Sequence, residues 1–192
     1  MRTIILDYPH GDNVAGKGSP DGKHKEYIWG REILPQVYKN LKDLYVPTVL
    51  SNPGMSEIGL LKRKAFMNTI NAPAFVFSLH NNAAGMGDKW MNARGASIWT
   101  TKGLTKSDSF ATYIYQELVK DIPEMSWRMD YTDKDVDYEE NFTVLTSKHP
   151  SVLLEWGFQD NKEDLAIIED PIIKDKLIHS LTNILLNISK WQ

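Results

Sequence analysis

The chain has 192 residues and a formal net charge of −3, from 22 Lys+Arg against 25 Asp+Glu. Hydrophobic residues make up 42% of the sequence and charged residues 24%, which excludes a disordered or fibrous chain. The near balance of charge excludes a bulk attraction to nucleic acid or to an anionic membrane. Because the sequence contains no Cys, only His and carboxylate side chains could hold a metal ion.

The apolar run at the N-terminus covers only residues 3–6 and is too short for the core of a signal peptide. No other window approaches the ~20 apolar residues that a membrane span requires. We therefore expect synthesis in the cytoplasm, no membrane insertion, and a single domain over residues 1–192. If the target lies outside the membrane, the protein acts after release or as a fragment of an exported enzyme.

Short apolar runs alternate along the chain with segments of helical periodicity. The runs predict strands over residues 3–6, 47–50, 74–79, 96–100 and 151–154, and the periodicity predicts helices over 25–45, 56–70, 110–119 and 177–191. Pro35 is expected to kink or divide the first helix. The acidic segment 121–141 lacks clear periodicity and is expected to lie over the surface. The alternation predicts an α/β three-layer sandwich, with a largely parallel sheet flanked by helices.

Ionisable side chains stand close to the ends of three predicted strands. His10 follows the first strand, His80 the third and Glu155 the last, while Glu26 opens the first helix after a Gly-rich loop. Ligands of open α/β sheets bind beyond the carboxyl ends of the strands, so these side chains are expected to converge. Two imidazoles and one carboxylate are a normal ligand set for catalytic zinc, and a further carboxylate can move a proton. Taken singly, each position also fits an ordinary loop, surface or buried residue.

His24 is a second candidate ligand because it lies two residues before Glu26. Residues two apart in a helix point to different sides, so both could bind one ion only if this segment is not helical. We favour Glu26 as the ligand and expect His24 to flank the cleft. His149 and His179 are expected to be solvated.

Three sequence blocks occur in order along the chain: LDYPHG at 6–11, SLHNNA at 78–83 and PSVLLEWGFQDN at 150–161. Together with the Gly-rich loop that leads to Glu26, they resemble the zinc-dependent N-acetylmuramoyl-L-alanine amidases of the amidase-3 type, found among bacterial autolysins and phage endolysins. The last block, a strand ending in Glu-x-Gly-Phe with Asn three residues on, is the most specific. The resemblance covers essentially the whole chain.

The resemblance implies a peptidoglycan hydrolase that cleaves the amide between N-acetylmuramic acid and L-alanine of the stem peptide by a zinc-activated water. It implies that His10, Glu26 and His80 hold the zinc ion (Zn2+). It assigns Glu155 as the catalytic carboxylate, which takes the proton of the water and gives it to the leaving amine. We expect the protein to act on the cell wall as a monomer.

Three further residues acquire roles from the same resemblance. Asn82 matches a polar position that lines the site, and Asp7 matches an acid that supports the imidazole of His10 or its loop. Trp156 stands where a small or aliphatic residue is common in the family, and we expect its indole to lie near the metal and contact substrate. This departure concerns substrate contacts rather than the metal ligands.

Two alternative functions remain open from the residues. A zinc carboxypeptidase could use the same ligand types, but it requires an Arg to fix the terminal carboxylate of its substrate. Arg94 and Arg128 are the loop candidates for that role, and neither lies near a motif. The other alternative is a catalytically silent cell-wall-binding module that has kept the fold.

Overall fold

The sheet has six strands in the order β2-β1-β3-β6-β4-β5. A computed structural model describes residues 1–132 and 134–191. The strands are β1 (Thr3–Asp7), β2 (Thr48–Ser51), β3 (Ala74–Asn82), β4 (Ser97–Thr100), β5 (Tyr138–Glu139) and β6 (Ser151–Phe158). The helices are α1 (Glu26–Asp43), α2 (Leu60–Thr69), α3 (Lys106–Asp121), α4 (Lys162–Glu169) and α5 (Pro171–Lys190), with a short 3-10 helix at Thr143–Leu145. All strand pairings are parallel except that of β4 with β6.

The central strands divide their side chains between two cores, because successive residues of a strand point to opposite faces. Phe77 of β3 belongs to the larger core, which α1, α3, α4 and α5 cover. Val76 belongs to the smaller core, where it is grouped with Met67 of α2 and Val144 of the 3-10 helix. The structure therefore confirms the predicted α/β sandwich, with helices on both faces of a largely parallel sheet. Ser78 and His80 lie two and four residues after Val76 in the same strand. Their side chains therefore point to the same face of the sheet as Val76, the face that α2 covers.

The first helix is continuous through its proline. α1 runs without interruption from Glu26 to Asp43, so Pro35 does not divide it. Pro35 has no backbone N–H, so the carbonyl four residues earlier lacks its helical hydrogen bond. Pro35 lies on the exposed side of the helix, where water can bond this carbonyl instead. None of the helices within the described residues is long and apolar enough to cross a membrane.

The C-terminal region contains one helix more than predicted. α4 begins after Asn161, whose side-chain oxygen accepts hydrogen bonds from the backbone N–H groups of Glu163 and Asp164. α5 begins directly afterwards, with Asp170 as its N-cap and Pro171 in its first turn. Both starts follow the ordinary capping rules, which place Asp or Asn before the helix and tolerate Pro at its first position.

The acidic segment 121–141 does more than cover the surface, which corrects the expectation. Met125 and Val136 are buried in the larger core, and Tyr138 and Glu139 form the edge strand β5 beside β4. Residue 133 of this segment lies outside the described residues. The indole of Trp99 in β4 stacks on the ring of Tyr138 at 4.9 Å between centroids, which fixes the strand pair.

Candidate active site

Neighbouring parallel strands bring the predicted site residues to one edge of the sheet. β3 pairs with β6, and His80 stands directly opposite Glu155 in the register. β1 lies on the other side of β3, and the loop that follows it carries His10. Glu26 is the first residue of α1, at the end of the long loop from β1. The four positions therefore meet although they are distant along the chain.

His10, Glu26 and His80 form a group whose ligand atoms all lie within 4.8 Å of one another. His10 Nε2 is 3.6 Å from Glu26 Oε2, and His80 Nδ1 is 2.8 Å from Glu26 Oε1. Ligand atoms on one tetrahedral zinc ion lie about 3.4 Å apart, given metal–ligand bonds of about 2.1 Å. Glu26 Oε2 is buried and has no hydrogen-bond partner among the described residues, as a metal-binding oxygen would require. The donor set and its spacing fit a zinc ion.

The backbone of His10 is held in a conformation that few non-glycine residues adopt. Its φ is +29°, which costs free energy and persists only where the surroundings enforce it. The His10 carbonyl accepts hydrogen bonds from Arg31 Nη2 at 3.0 Å and from Asn52 Nδ2 at 2.9 Å. Gly30 of α1 lies against Pro9 so closely that a Cβ at residue 30 would lie 2.3 Å from Pro9 Cγ. The helix and the loop after β2 thus aim the imidazole at Glu26.

Glu57 orients the ring of His10, and the sequence did not reveal this residue. Glu57 Oε2 lies 3.4 Å from His10 Nδ1, which leaves Nε2 free to face Glu26. The same carboxylate pairs with Arg63 Nη2 at 3.2 Å, and Arg63 is fully buried. Arg63 Nη1 lies 3.3 Å from Asp7 Oδ2 and also donates to the Tyr8 carbonyl. When one ring nitrogen of a histidine binds a metal, a carboxylate that contacts the other nitrogen fixes the tautomer and the orientation of the ring.

Asp7 supports the site through this chain of contacts rather than by touching His10. It is fully buried, and its Oδ2 accepts a hydrogen bond from Ser78 Oγ at 2.7 Å as well as the contact from Arg63. Asp7 therefore anchors Arg63, and Arg63 anchors Glu57. The role predicted for Asp7, support of His10 or its loop, stays a prediction, and these contacts give it an indirect route.

The other two candidate ligands, Glu26 and His80, are held by the end of β3. The backbone N–H of Asn81 donates to Glu26 Oε1 at 3.1 Å, on the oxygen that also faces His80. The side chain of Asn81 donates to the Trp156 carbonyl and contacts His24 Nε2 at 3.1 Å. His24 is buried, and its Nδ1 contacts Glu169 of α4, so the ring lies outside the ligand group.

The electrostatic environment suits proton transfer at Glu155. The pKa of Glu155 is raised to about 7, mainly by burial and also by the negative charge of Glu26, against the opposing positive charges of His80 and Lys17. A carboxyl with a pKa near neutrality can both accept and release a proton. Burial lowers the pKa of His10 to about 4, which keeps the imidazole neutral, the form that binds a metal.

A cavity of about 300 Å³ opens onto these groups. It is lined by His10, Lys17, Leu60, His80, Phe142, Thr143, Val144, Leu153 and Glu155. Asn82, which was predicted to line the site, is half-buried at the end of β3 and is not among these lining residues; its side-chain oxygen accepts a hydrogen bond from the backbone of Ala83. The cavity places the imidazoles of two candidate ligands and the candidate proton carrier on one accessible surface.

The expected contact between Trp156 and substrate is corrected by the structure. Trp156 is 1% exposed and belongs to the larger core, where its ring lies 6.1 Å from that of Trp127. β6 continues to Phe158, so residues 155 and 156 point to opposite faces of the sheet. Glu155 faces the cavity, and Trp156 therefore faces the helices on the other side.

Comparison with known proteins agrees with this arrangement. The model of the family described as N-acetylmuramoyl-L-alanine amidase (Amidase_3) matches residues 4–187. No curated protein sequence gives a significant match. The fold resembles that of an N-acetylmuramoyl-L-alanine amidase from Clostridium difficile 630, with TM-score 0.83, 24% identity, and coverage of 97% of this chain and 95% of that one.

Two further solved structures share the fold. The catalytic domain of CwlV, an N-acetylmuramoyl-L-alanine amidase from Bacillus (Paenibacillus) polymyxa var. colistinus, has TM-score 0.83 and 19% identity, and 98% of each chain is covered. The amidase AmiC2 of Nostoc punctiforme has TM-score 0.83 and 19% identity, with 99% of this chain and 98% of that chain covered. Since the family model spans nearly the whole sequence, this chain belongs to the N-acetylmuramoyl-L-alanine amidase family of peptidoglycan hydrolases.

Proposed function

We propose that the protein hydrolyses the amide between the lactyl group of N-acetylmuramic acid and L-alanine of the stem peptide, with a zinc ion held by His10, Glu26 and His80. The observation that carries the proposal is the convergence of these ligand atoms within 4.8 Å beside Glu155, on one cavity. Glu26 Oε2 is buried without a hydrogen-bond partner in the described structure and faces His10 Nε2 at 3.6 Å, so a cation between them would satisfy it. Membership of the amidase family supplies the substrate class.

The chain divides the chemistry between ligands and a proton carrier. A bound zinc ion supplies Lewis-acid chemistry, because it polarises a carbonyl and makes water more acidic. The Asn81 backbone N–H holds Glu26 Oε1 and so directs Oε2 towards His10. Glu155 takes a proton from the attacking water on its carboxylate and then delivers it to the departing alanine nitrogen.

The arginines of the chain argue against the carboxypeptidase alternative. Arg94 pairs with Glu163 of α4, and Arg128 lies over the ring of Phe158. Arg63 is committed to Asp7 and Glu57. Among the residues that the structure describes, no arginine lines the cavity of His10 and Glu155, so none is placed to fix a terminal carboxylate. The complete ligand group with an adjacent buried carboxyl equally argues against a silent wall-binding module.

We place the action of the enzyme at the cell wall, after release from the cytoplasm or as part of an exported enzyme, because its proposed substrate is found there. The function is tested by digesting purified peptidoglycan with the wild type and Glu155→Gln and identifying the products by mass spectrometry. The wild type is expected to release intact stem peptides with a free N-terminal alanine. Glu155→Gln is expected to lose about 10²–10⁴-fold in rate while retaining its zinc.

Glu124→Gln serves as the control, because Glu124 is exposed and pairs with Lys176 away from the cavity. It should cleave like the wild type. Release of single amino acids by the wild type would favour a carboxypeptidase instead. Near-normal turnover by Glu155→Gln would refute the proposed role of Glu155.

A further inference from the structure

The backbone of Lys17 is fixed beside the metal ligands. Lys17 lies in the long loop between β1 and α1, and its carbonyl accepts a hydrogen bond from the Glu26 N–H at 3.2 Å. The next residue, Gly18, pairs with Lys25 in an antiparallel bridge. A Cβ at residue 18 would lie 2.4 Å from the His24 carbonyl oxygen, so only glycine allows this close approach. These contacts therefore fix the position of the Lys17 backbone, from which its side chain extends, relative to Glu26.

The Lys17 side chain enters the catalytic cavity. It is half-buried and lines the same cavity of about 300 Å³ as His10, His80 and Glu155. Its charge is close enough to lower the pKa values of both His10 and Glu155. The opposite walls are largely apolar, formed by Leu60, Phe142, Val144 and Leu153.

Within residues 1–132 and 134–191, Lys17 has no carboxylate oxygen within ion-pair distance. Five other lysines, Lys23, Lys39, Lys102, Lys174 and Lys176, each have a carboxylate oxygen within 4.0 Å. None of the ion pairs formed between residues of the ranges 1–132 and 134–191 includes Lys17. A half-buried ammonium group between apolar walls gains most from an anion that arrives with the substrate.

We infer that Lys17 binds a carboxylate of the stem peptide close to the scissile amide and makes the enzyme prefer substrates in which that group is free rather than amidated. The inference rests on the proposed function. In the stem peptide, L-alanine is followed by a D-glutamyl residue linked through its γ-carboxyl, so its α-carboxyl is either free or amidated. This group is the nearest anion to the scissile bond on the peptide side.

The test uses two disaccharide tripeptides that differ only in whether this α-carboxyl is free or amidated. For each substrate, kcat and KM are measured for the wild type, Lys17→Met, Lys17→Arg and the control Lys23→Met. Lys23 lies in the same loop, but its side chain is 86% exposed. Circular dichroism and urea unfolding verify that each variant is folded.

The wild type is expected to prefer the free acid by about 10–100-fold in kcat/KM, mainly through KM, as a charge-assisted hydrogen bond predicts. Lys17→Met should abolish the preference, whereas Lys17→Arg and Lys23→Met should keep it. An equal loss on both substrates in Lys17→Met, an unchanged preference, or a wild type without preference would overturn the inference and leave the proposed function intact. A wild type that cleaves neither substrate at the lactyl–alanine bond would contradict the proposed function itself.

Discussion

Substitution of Glu57 by Gln tests how the first metal ligand is oriented. Glu57 joins two partners, with Oε2 at 3.4 Å from His10 Nδ1 and Oε1 at 3.2 Å from Arg63 Nη2. Glutamine keeps the size of the side chain but removes the negative charge that both contacts use. The ring of His10 then loses the interaction that turns its Nε2 towards Glu26.

The expected magnitude has two parts. Loss of the carboxylate that contacts the second ring nitrogen of a metal-binding histidine lowers metal affinity by about 10–100-fold, equivalent to about 1.4–2.7 kcal/mol. The fully buried Arg63 loses one charged partner but keeps Asp7 and the Tyr8 carbonyl. We therefore expect the metal-free protein to lose about 1–3 kcal/mol of unfolding free energy, too little to prevent folding of a typical domain.

The assay is a competition titration of zinc against a chelator of known affinity, with urea unfolding of the metal-free protein in parallel. Glu163→Gln is the matched control, because it breaks a Glu–Arg pair at the surface, where Glu163 is 70% exposed. The control should bind zinc like the wild type. Zinc affinity of Glu57→Gln within twofold of the wild type would show that His10 is oriented without Glu57.

Two further predictions concern stability. Burial raises the pKa of Asp137 from 3.8 to about 7, so between these values the folded protein holds a proton that the unfolded chain has lost. The contribution of Asp137 to the free energy of unfolding should therefore fall as the pH rises from about 4 to about 7. Over this range Asp137→Asn should lose less unfolding free energy than the wild type, although Glu155, whose pKa is also raised to about 7, still contributes a fall, whereas Asp175→Asn at an exposed position should follow the wild type. Parallel pH profiles from urea titrations of wild type and Asp137→Asn would contradict the reasoning. At Gly30, an Ala gains about 1 kcal/mol of helix propensity but forces its Cβ against Pro9, which costs about 1–3 kcal/mol. In urea unfolding, the free energy of unfolding of Gly30→Ala should be about 1 kcal/mol lower than that of Gln36→Ala, which lies on the exposed side of the same helix. Equal stability of the two variants would show that the contact with Pro9 relaxes freely.

The sheet was predictable because its central strands are buried on both faces and read as continuous apolar runs. Residues 74–79 and 151–154 predicted strands, and these became β3 and β6, the pair that carries His80 and Glu155. The antiparallel insertion of β4 next to β6 was not predictable, because short strands carry no signal for direction. The start of α4 could have been inferred from Asn161 followed by two acidic residues of the first turn.

The sequence located the candidate ligands but not the residues that hold them in place. The strand ends and the resemblance identified His10, His80 and Glu155, and the structure brings them to one cavity. Trp156 was misassigned because the strand was expected to stop at residue 154, whereas continuation to Phe158 turns residue 156 to the opposite face. Glu57 gave no sequence signal, since it is one of 25 acidic residues and its relation to His10 depends on how the loop after β2 folds back.

The convergence of distant side chains on one zinc ion can be observed directly in diffraction data collected on both sides of the zinc absorption edge. We expect a single anomalous peak within about 2.0–2.2 Å of ligand atoms of His10, Glu26 and His80, at one zinc ion per chain by elemental analysis. A zinc-supplemented crystal with no peak at these three residues, or with its peak elsewhere, would show that they do not form the metal site.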